Sequence, residues 1–164
     1  MSKQENHDDQ GQKLEATALR LLARREHSRL ELTLKLRQRR FDPERIEQVL
    51  DDCEARGWLD DRRFADMYAR QRLEQGYGPV RILGELQQRG VHHSPDCLAA
   101  MTEADWRRRA VALRERRFGL SDLGDDWPEK TRQARFLSRR GFSHEQIEQA
   151  LVLVGDVHVD KAHR

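Results

Sequence analysis

The stretch that decides the fold runs from Gly57 to Val91 and reads GWLDDRRFADMYARQRLEQGYGPVRILGELQQRGV. It predicts two helices with clear start and stop signals. Gly57 ends a preceding helix, because it reaches the left-handed conformation without a Cβ clash, and Asp60 caps the next one. The first helix is expected from Asp60 to Gln75. Phe64, Met67 and Tyr68, with Ala65 beside them, recur at helical spacing and form its buried stripe. Arg62, Arg63, Asp66 and Arg70 occupy the other face. Gly76-Tyr77-Gly78 breaks the helix, and Pro79 restarts one, since its fixed φ and missing N–H suit a first helical position. Ile82, Leu83 and Leu86 supply the second stripe, and Gly90 closes it.

The same grammar extends in both directions. Upstream, Leu14, Ala18, Leu21 and Leu22 mark a helix, and Ser28 with Glu31 is a capping-box pair opening another that ends near Arg40. Leu30, Leu32, Leu34 and Leu36 alternate as a strand would, but the capping box and the β-poor residues between them decide for helix. Asp42-Pro43-Glu44 then opens a helix carrying Ile46, Val49, Leu50 and Cys53. A shift of 50 residues lays Ser28 on Gly78, Leu32 on Ile82, Leu36 on Leu86 and Arg39 on Arg89. A shift of 101 lays Leu36 on Leu137, Arg39 on Arg140, Phe41 on Phe142, Ile46 on Ile147 and Leu50 on Leu151. The third copy opens with Trp106, Ala110 and Leu113, passes an acidic segment at Asp122, Asp125 and Asp126, restarts near Pro128, and has its own capping box at Ser143 and Gln146. Ser94-Pro95-Asp96 starts the last helix of the middle copy, with Leu98 and Met101 following.

Three tandem three-helix repeats, all α, are therefore expected: residues 13–57, 58–104 and 105–155. A disordered polar tail is expected over 1–12 and a C-terminal tail over 156–164. A unit of about fifty residues buries little by itself, so neighbours should stack. The expected body is an elongated, curved array on the order of 50 to 70 Å long.

Composition agrees with small shared cores, as hydrophobic and charged residues each make up 37% of the chain. The formal net charge is only +2. Of 31 cations 5 are lysine, leaving 26 arginine; the planar fork of arginine suits carboxylate or phosphate, although base composition or helix propensity explains such a bias equally well. Cys53 and Cys97 sit on apolar stripes, no secretory leader precedes them, and no apolar run approaches the ~20 residues that span a bilayer, so a reduced cytoplasmic protein without membrane contact is expected.

Signals for chemistry are few. His92 and His93 lie near Cys97, but no metal-ligand spacing surrounds them. Asp60-Asp61 and Asp125-Asp126 are adjacent on a helix or turn and read as caps. Gly76 and Gly78 lack the Lys and Ser or Thr of a phosphate loop. No catalytic residue, metal or cofactor is assigned, and a non-enzyme is expected. Charge is the stronger clue. Arg107, Arg108, Arg109, Arg114, Arg116 and Arg117 stand against Glu115 alone, a formal +5 over eleven residues. The stretch is either a contact for acidic protein or phosphate or a solvated face balanced by Asp122 to Glu129. Arg81 projects away from Ile82, Leu83 and Leu86, and with Arg62, Arg63, Arg70, Arg107, Arg108 and Arg114 completes the candidate partner-binding surface. Two functions compete: an interaction module, and a helix-turn-helix-like nucleic-acid regulator, which the mixed acidic faces and near-zero charge disfavour.

The spaced series Gly57, Leu59, Asp60, Asp61, Phe64, Ala65, then Gly78, Pro79, Ile82, then Leu86 and Gly90 resembles the central signature of the RecX family of small bacterial proteins, and the likeness extends over roughly residues 14 to 154. The resemblance implies a negative modulator of the RecA recombinase. Such a protein binds in the groove of the RecA filament on single-stranded DNA, blocks its extension or promotes its disassembly, and so lowers RecA's ATP hydrolysis, strand exchange and co-protease activity. It implies RecA as the partner; a weak direct DNA contact and a monomer are the accompanying expectations.

Overall fold

The computed structural model describes the backbone of residues 3–155 and the side chains from residue 8 onward. Every regular element among the described residues is a helix: α1 (Lys3–Arg24), α2 (Arg29–Gln38), α3 (Pro43–Ala55), α4 (Asp61–Glu74), α5 (Pro79–Gln88), α6 (Asp96–Ala99), α7 (Glu103–Phe118), α8 (Trp127–Arg140) and α9 (His144–Val152). In chain order they are three successive three-helix repeats, as the sequence predicts.

Local chemistry explains the boundaries. Ser28 and Ser143 close capping boxes with Glu31 and Gln146. Thr102 and Asp105 form a third that sequence reading missed. The Asp60 carboxylate accepts from the backbone N–H groups of Arg62 and Arg63 at 2.9 and 3.2 Å, which fixes the start of α4. Asp42 precedes Pro43 in extended conformation but makes no side-chain cap, so there the proline sets the start of the helix.

The end of the second repeat helix recurs three times. Arg40, Gly90 and Gly141 occupy equivalent positions and all have positive φ, of 64, 80 and 99°. The residue after each sends its N–H back five places, Phe41 to Leu36, Val91 to Leu86 and Phe142 to Leu137. This is the Schellman turn, which reuses orphan helix carbonyls and turns an apolar side chain inward. Val91 and Phe142 are accordingly buried.

Two expectations are corrected. The tail drawn over residues 1–12 is helical from Lys3, as α1 continues toward the N-terminus; Asp8 and Asp9 suit the early turns of a helix, and Gly11 costs only about 1 kcal/mol there. The helix after Pro95 is a single turn, Asp96–Ala99, and does not reach Met101. The tail expected over 156–164 lies outside the described residues.

The helices form two compact units, drawn differently from the repeats. One holds the described residues of Met1–Tyr68 and Glu85–Pro95; the other holds those of Ala69–Gly84 and Asp96–Arg164. The middle repeat thus contributes to both. The first unit is built on Leu14, Ala18, Leu21, Leu32, Leu36, Ile46, Leu50, Cys53 and Leu59. Leu32 and Leu36, four apart, point inward, while Leu30 and Leu34 are exposed, so the leucine alternation belongs to a helix. Polar ties reinforce this core. Asp61 accepts from the Arg29 N–H at 2.7 Å, and the Arg29 guanidinium reaches Glu47, Asp51 and Glu54 on α3. Buried His27 faces the Arg25 carbonyl through Nδ1 and the Lys35 ammonium through Nε2, and burial holds its pKa below the usual imidazole range. In the second unit Ala69, Leu73, Ile82, Trp106, Ala110, Leu137, Phe142 and Ala150 are among the buried apolar residues.

Candidate functional site

Of the seven candidate arginines, two belong to the first unit. Arg62 is exposed, and its side chain has no ion-pair partner among the described residues. Arg63 is a structural tie. It donates to Glu26 at 2.5 Å and to the carbonyls of Gly57 and Trp58 at 3.0 and 3.2 Å, so it clamps the turn that precedes α4. The hydrogen bond to Glu26 raises its pKa further.

Arg114 corrects the sequence reading most sharply, because it is wholly buried and so presents nothing to a partner. Its guanidinium donates to Gln133 Oε1 at 2.8 Å, to the carbonyls of Ala150 and Leu153 at 3.1 and 2.6 Å, and to the Ser121 carbonyl at 3.0 Å. One side chain thereby joins α7, α8, the end of α9 and the loop after α7. Burial lowers its pKa, and every acceptor is neutral. A carboxylate stands one step away. Gln133 donates to Glu129 at 3.0 Å, and that bond, with Arg132, holds the Glu129 carboxyl below the usual range. The acidic segment is therefore structural. Asp122 closes a turn onto the Gly124 N–H, Asp126 caps α8 through the Glu129 N–H, and Glu129 steadies the amide that steadies Arg114.

The start of α5 reveals why Gly78 stands where α2 and α8 have the capping side chains of Ser28 and Asp126. Gly78 N–H donates to the Arg140 carbonyl at 2.7 Å and Val80 N–H to the Gly141 carbonyl at 2.9 Å. The last carbonyls of α8 thus cap α5 in place of a side chain. A Cβ on Gly78 would lie 2.5 Å from the Gly141 carbonyl carbon and oxygen, and one on Gly141 2.2 Å from the Arg81 Cβ. The same close approach changes the reading of Arg81. Its backbone is part of the junction, and its side chain donates to the Arg139 carbonyl at 2.9 Å.

Around this junction the second unit lays arginines on aromatic rings. The guanidinium carbons of Arg72, Arg81 and Arg140 lie 4.0, 4.2 and 5.0 Å from the centre of the Tyr77 ring. Arg140 also approaches Phe136, at 5.8 Å, and Phe136 meets Phe118 edge to face at 5.3 Å. Arg117 and Arg132 lie over Phe118 at 5.7 and 5.1 Å. The result is a run of cations laid on rings, whose guanidinium faces are spent on aromatic contact, while N–H edges of Arg72, Arg81 and Arg132 already bond to Gln75, the Arg139 carbonyl and Glu129. Arg70 and Arg107 are exposed on the same unit, and Arg108 pairs with Asp105. Among the described residues Arg107, Arg116, Arg117, Arg135 and Arg139 have no carboxylate partner.

Sequence reading missed Arg72, Arg132 and Arg140 as members of this surface. The available signals were Tyr77, an aromatic residue set between two helix-breaking glycines, and the coincidence of Arg39 with Arg140 in the repeat. A separate groove of about 810 Å³ runs between α8 and α9, with Phe142, Ile147, Leu151 and the exposed Trp127 along it. Among the described residues no helix is long and apolar enough to cross a membrane, and no group of three His, Cys, Asp or Glu could hold a metal ion.

Comparison with known proteins supplies a family. Models of the first, second and third three-helix domains of RecX match residues 16–53, 60–94 and 105–151 in order. The chain belongs to the RecX family. It is 49% identical over 134 residues to the regulatory protein RecX of Halorhodospira halophila, covering 81% of this chain and 83% of that protein. It is 44% identical over 137 residues to the regulatory protein RecX of Pseudomonas fluorescens, covering 82% and 87%. The crystal structure of RecX from Lactobacillus salivarius shares the fold, with a TM-score of 0.75 over 88% of this chain and 96% of that one at 21% identity. Homologues named as regulatory proteins support a regulatory role for this RecX-family chain. In its helix order, each matched domain corresponds to one sequence repeat.

Proposed function

We propose that this RecX-family chain is a negative modulator of RecA, which binds in the groove of the RecA filament on single-stranded DNA and blocks extension or promotes disassembly. RecA's ATP hydrolysis, strand exchange and co-protease activity fall as a consequence. The observation that carries the reading is the ordered match of all three RecX domains. The arginine surface of the second unit supports it, since Arg107, Arg116, Arg117, Arg135 and Arg139 offer N–H edges to acidic protein with no carboxylate partner among the described residues. Three similar modules in one chain can engage neighbouring protomers, and a second contact then forms at high effective concentration. In this reading the protein acts in the cytoplasm as a monomer and catalyses nothing; ATP is hydrolysed by the partner. Arg62 and Arg107 remain proposed contact residues on exposed positions, whereas Arg63, Arg81 and Arg114 serve the fold first.

The test is to add the purified chain, well below one per protomer, to preformed RecA filaments and follow ATP turnover. Turnover should fall at these substoichiometric amounts, and the Arg62→Glu, Arg107→Glu double variant should need more protein for the same effect. Unaltered turnover with the wild-type chain, together with tight duplex binding, would favour the helix-turn-helix regulator instead.

A further inference from the structure

At the C-terminal end of α4, within the second unit, α7 and α8 face a recess of about 200 Å³. Arg109, Arg116, Arg140, Tyr77, Leu113 and Phe142 line it, with Glu74 at the same opening. Resting on the reading just given, we propose that this recess is the receptor for one carboxylate side chain of the protein partner.

The guanidinium groups are held ready. Arg109 donates one N–H to the Leu73 carbonyl at 3.3 Å, and Arg140 donates one to the Gln75 carbonyl at 3.1 Å. The remaining donors of both forks, and the Arg116 fork, have no protein acceptor among the described residues. Three cations therefore share the recess with Glu74 alone. Leu113 and Phe142 give the recess apolar walls beside the exposed Arg109 and Arg116, so a bidentate bond there is stronger than at a flat, wholly polar surface.

Two features select a carboxylate over nucleic acid. A side chain tethered at one end can enter a recess of this size, whereas a phosphodiester carries a sugar on each side. Binding of single strands draws on base stacking over open aromatic faces, but the Tyr77 ring is already covered by Arg72, Arg81 and Arg140.

Arg116 is the clean probe, because no described contact depends on its charge. In the full chain, Arg116→Glu should raise the concentration giving half-maximal inhibition of RecA ATP turnover about tenfold, as turning an attractive interfacial charge pair into a like-charge pair does. Arg116→Gln should act in the same direction more weakly. Far-ultraviolet circular dichroism and affinity for a bare dT oligonucleotide should not move, and Arg109→Ala gives a second, independent variant. In parallel, a glutamate-rich peptide titrated into the wild-type chain should shift the Nε–H resonances of Arg109 and Arg140, while inorganic phosphate at equal ionic strength should not. Inhibition by wild type that Arg116→Glu and Arg109→Ala leave unchanged overturns the recess and spares the RecA reading. Loss of oligonucleotide affinity in place of filament inhibition overturns it in favour of a phosphate site. If wild type fails to slow RecA, that reading falls, and the peptide titration alone decides the recess.

Discussion

Glycine replacements separate conformational need from space at single residues. Gly57 has a φ of 76° with nothing within 4 Å of a would-be Cβ, so Gly57→Ala meets only the left-handed cost of about 1–2 kcal/mol. Gly78 has ordinary φ but no room, and its Cβ would strike backbone atoms that cannot swing aside. Gly78→Ala must open the junction of α5 with α8 and lose hydrogen bonds to Arg140 and Gly141, a cost of about 3 kcal/mol. Gly141 combines positive φ with the closest contact. Thermal melts should therefore rank Gly57→Ala as mildest, Gly78→Ala next and Gly141→Ala as most damaging; a Gly78→Ala protein as stable as Gly57→Ala would refute the carbonyl-capping account.

Helices of the second unit depend on one cation for their assembly. Arg114→Met retains apolar bulk but strands the carbonyls of Ser121, Ala150 and Leu153 without their donor. The expected loss is about 2–4 kcal/mol, visible as a lower Tm, with faster hydrogen exchange at the Gly155 N–H that donates to the Leu120 carbonyl. Inhibition of RecA measured well below the new Tm should survive. The opposite pattern, an intact Tm with lost inhibition, would return Arg114 to the contact surface. The acidic segment serves the same assembly, since Asp126 and Glu129 act through a cap, Gln133 and Arg132, and leave Arg107, Arg116 and Arg117 of α7 without a carboxylate partner among the described residues.

For the molecule as a whole, charge sets the range of attraction. A net +2 exerts little long-range pull, so binding should rest on short, partly desolvated contacts, which salt screens weakly. A protein that neutralises six to ten phosphates loses affinity with a log–log salt slope of about −5 to −9. Titrating filament inhibition from roughly 50 to roughly 300 mM salt, a span wide enough to resolve such slopes, should give a shallower line, of magnitude below about 3. A steep slope would mean that DNA backbone contacts dominate and would favour the nucleic-acid reading.

Helix content, repeat order and most boundaries were legible in the chain because they rest on local chemistry: Ser28 with Glu31, Ser143 with Gln146, Pro79 after Gly78, and apolar residues at helical spacing. The exposed cations were legible too, but not their employment. A helical projection places Arg114 and Arg107 alike on a basic face. Only the packing of α7 against α8 and α9 buries one of them under neutral carbonyls. In the same way Gly78 read as a loop breaker, and its reason became visible once the end of α8 was found against it. Sequence by itself determined the elements, since caps and periodicity act within a few residues, and its spaced series from Gly57 to Gly90 carried the likeness to the family. Tertiary structure alone decided which arginines hold the fold and which face outward, because burial and hydrogen-bond partners are set by residues far away along the chain.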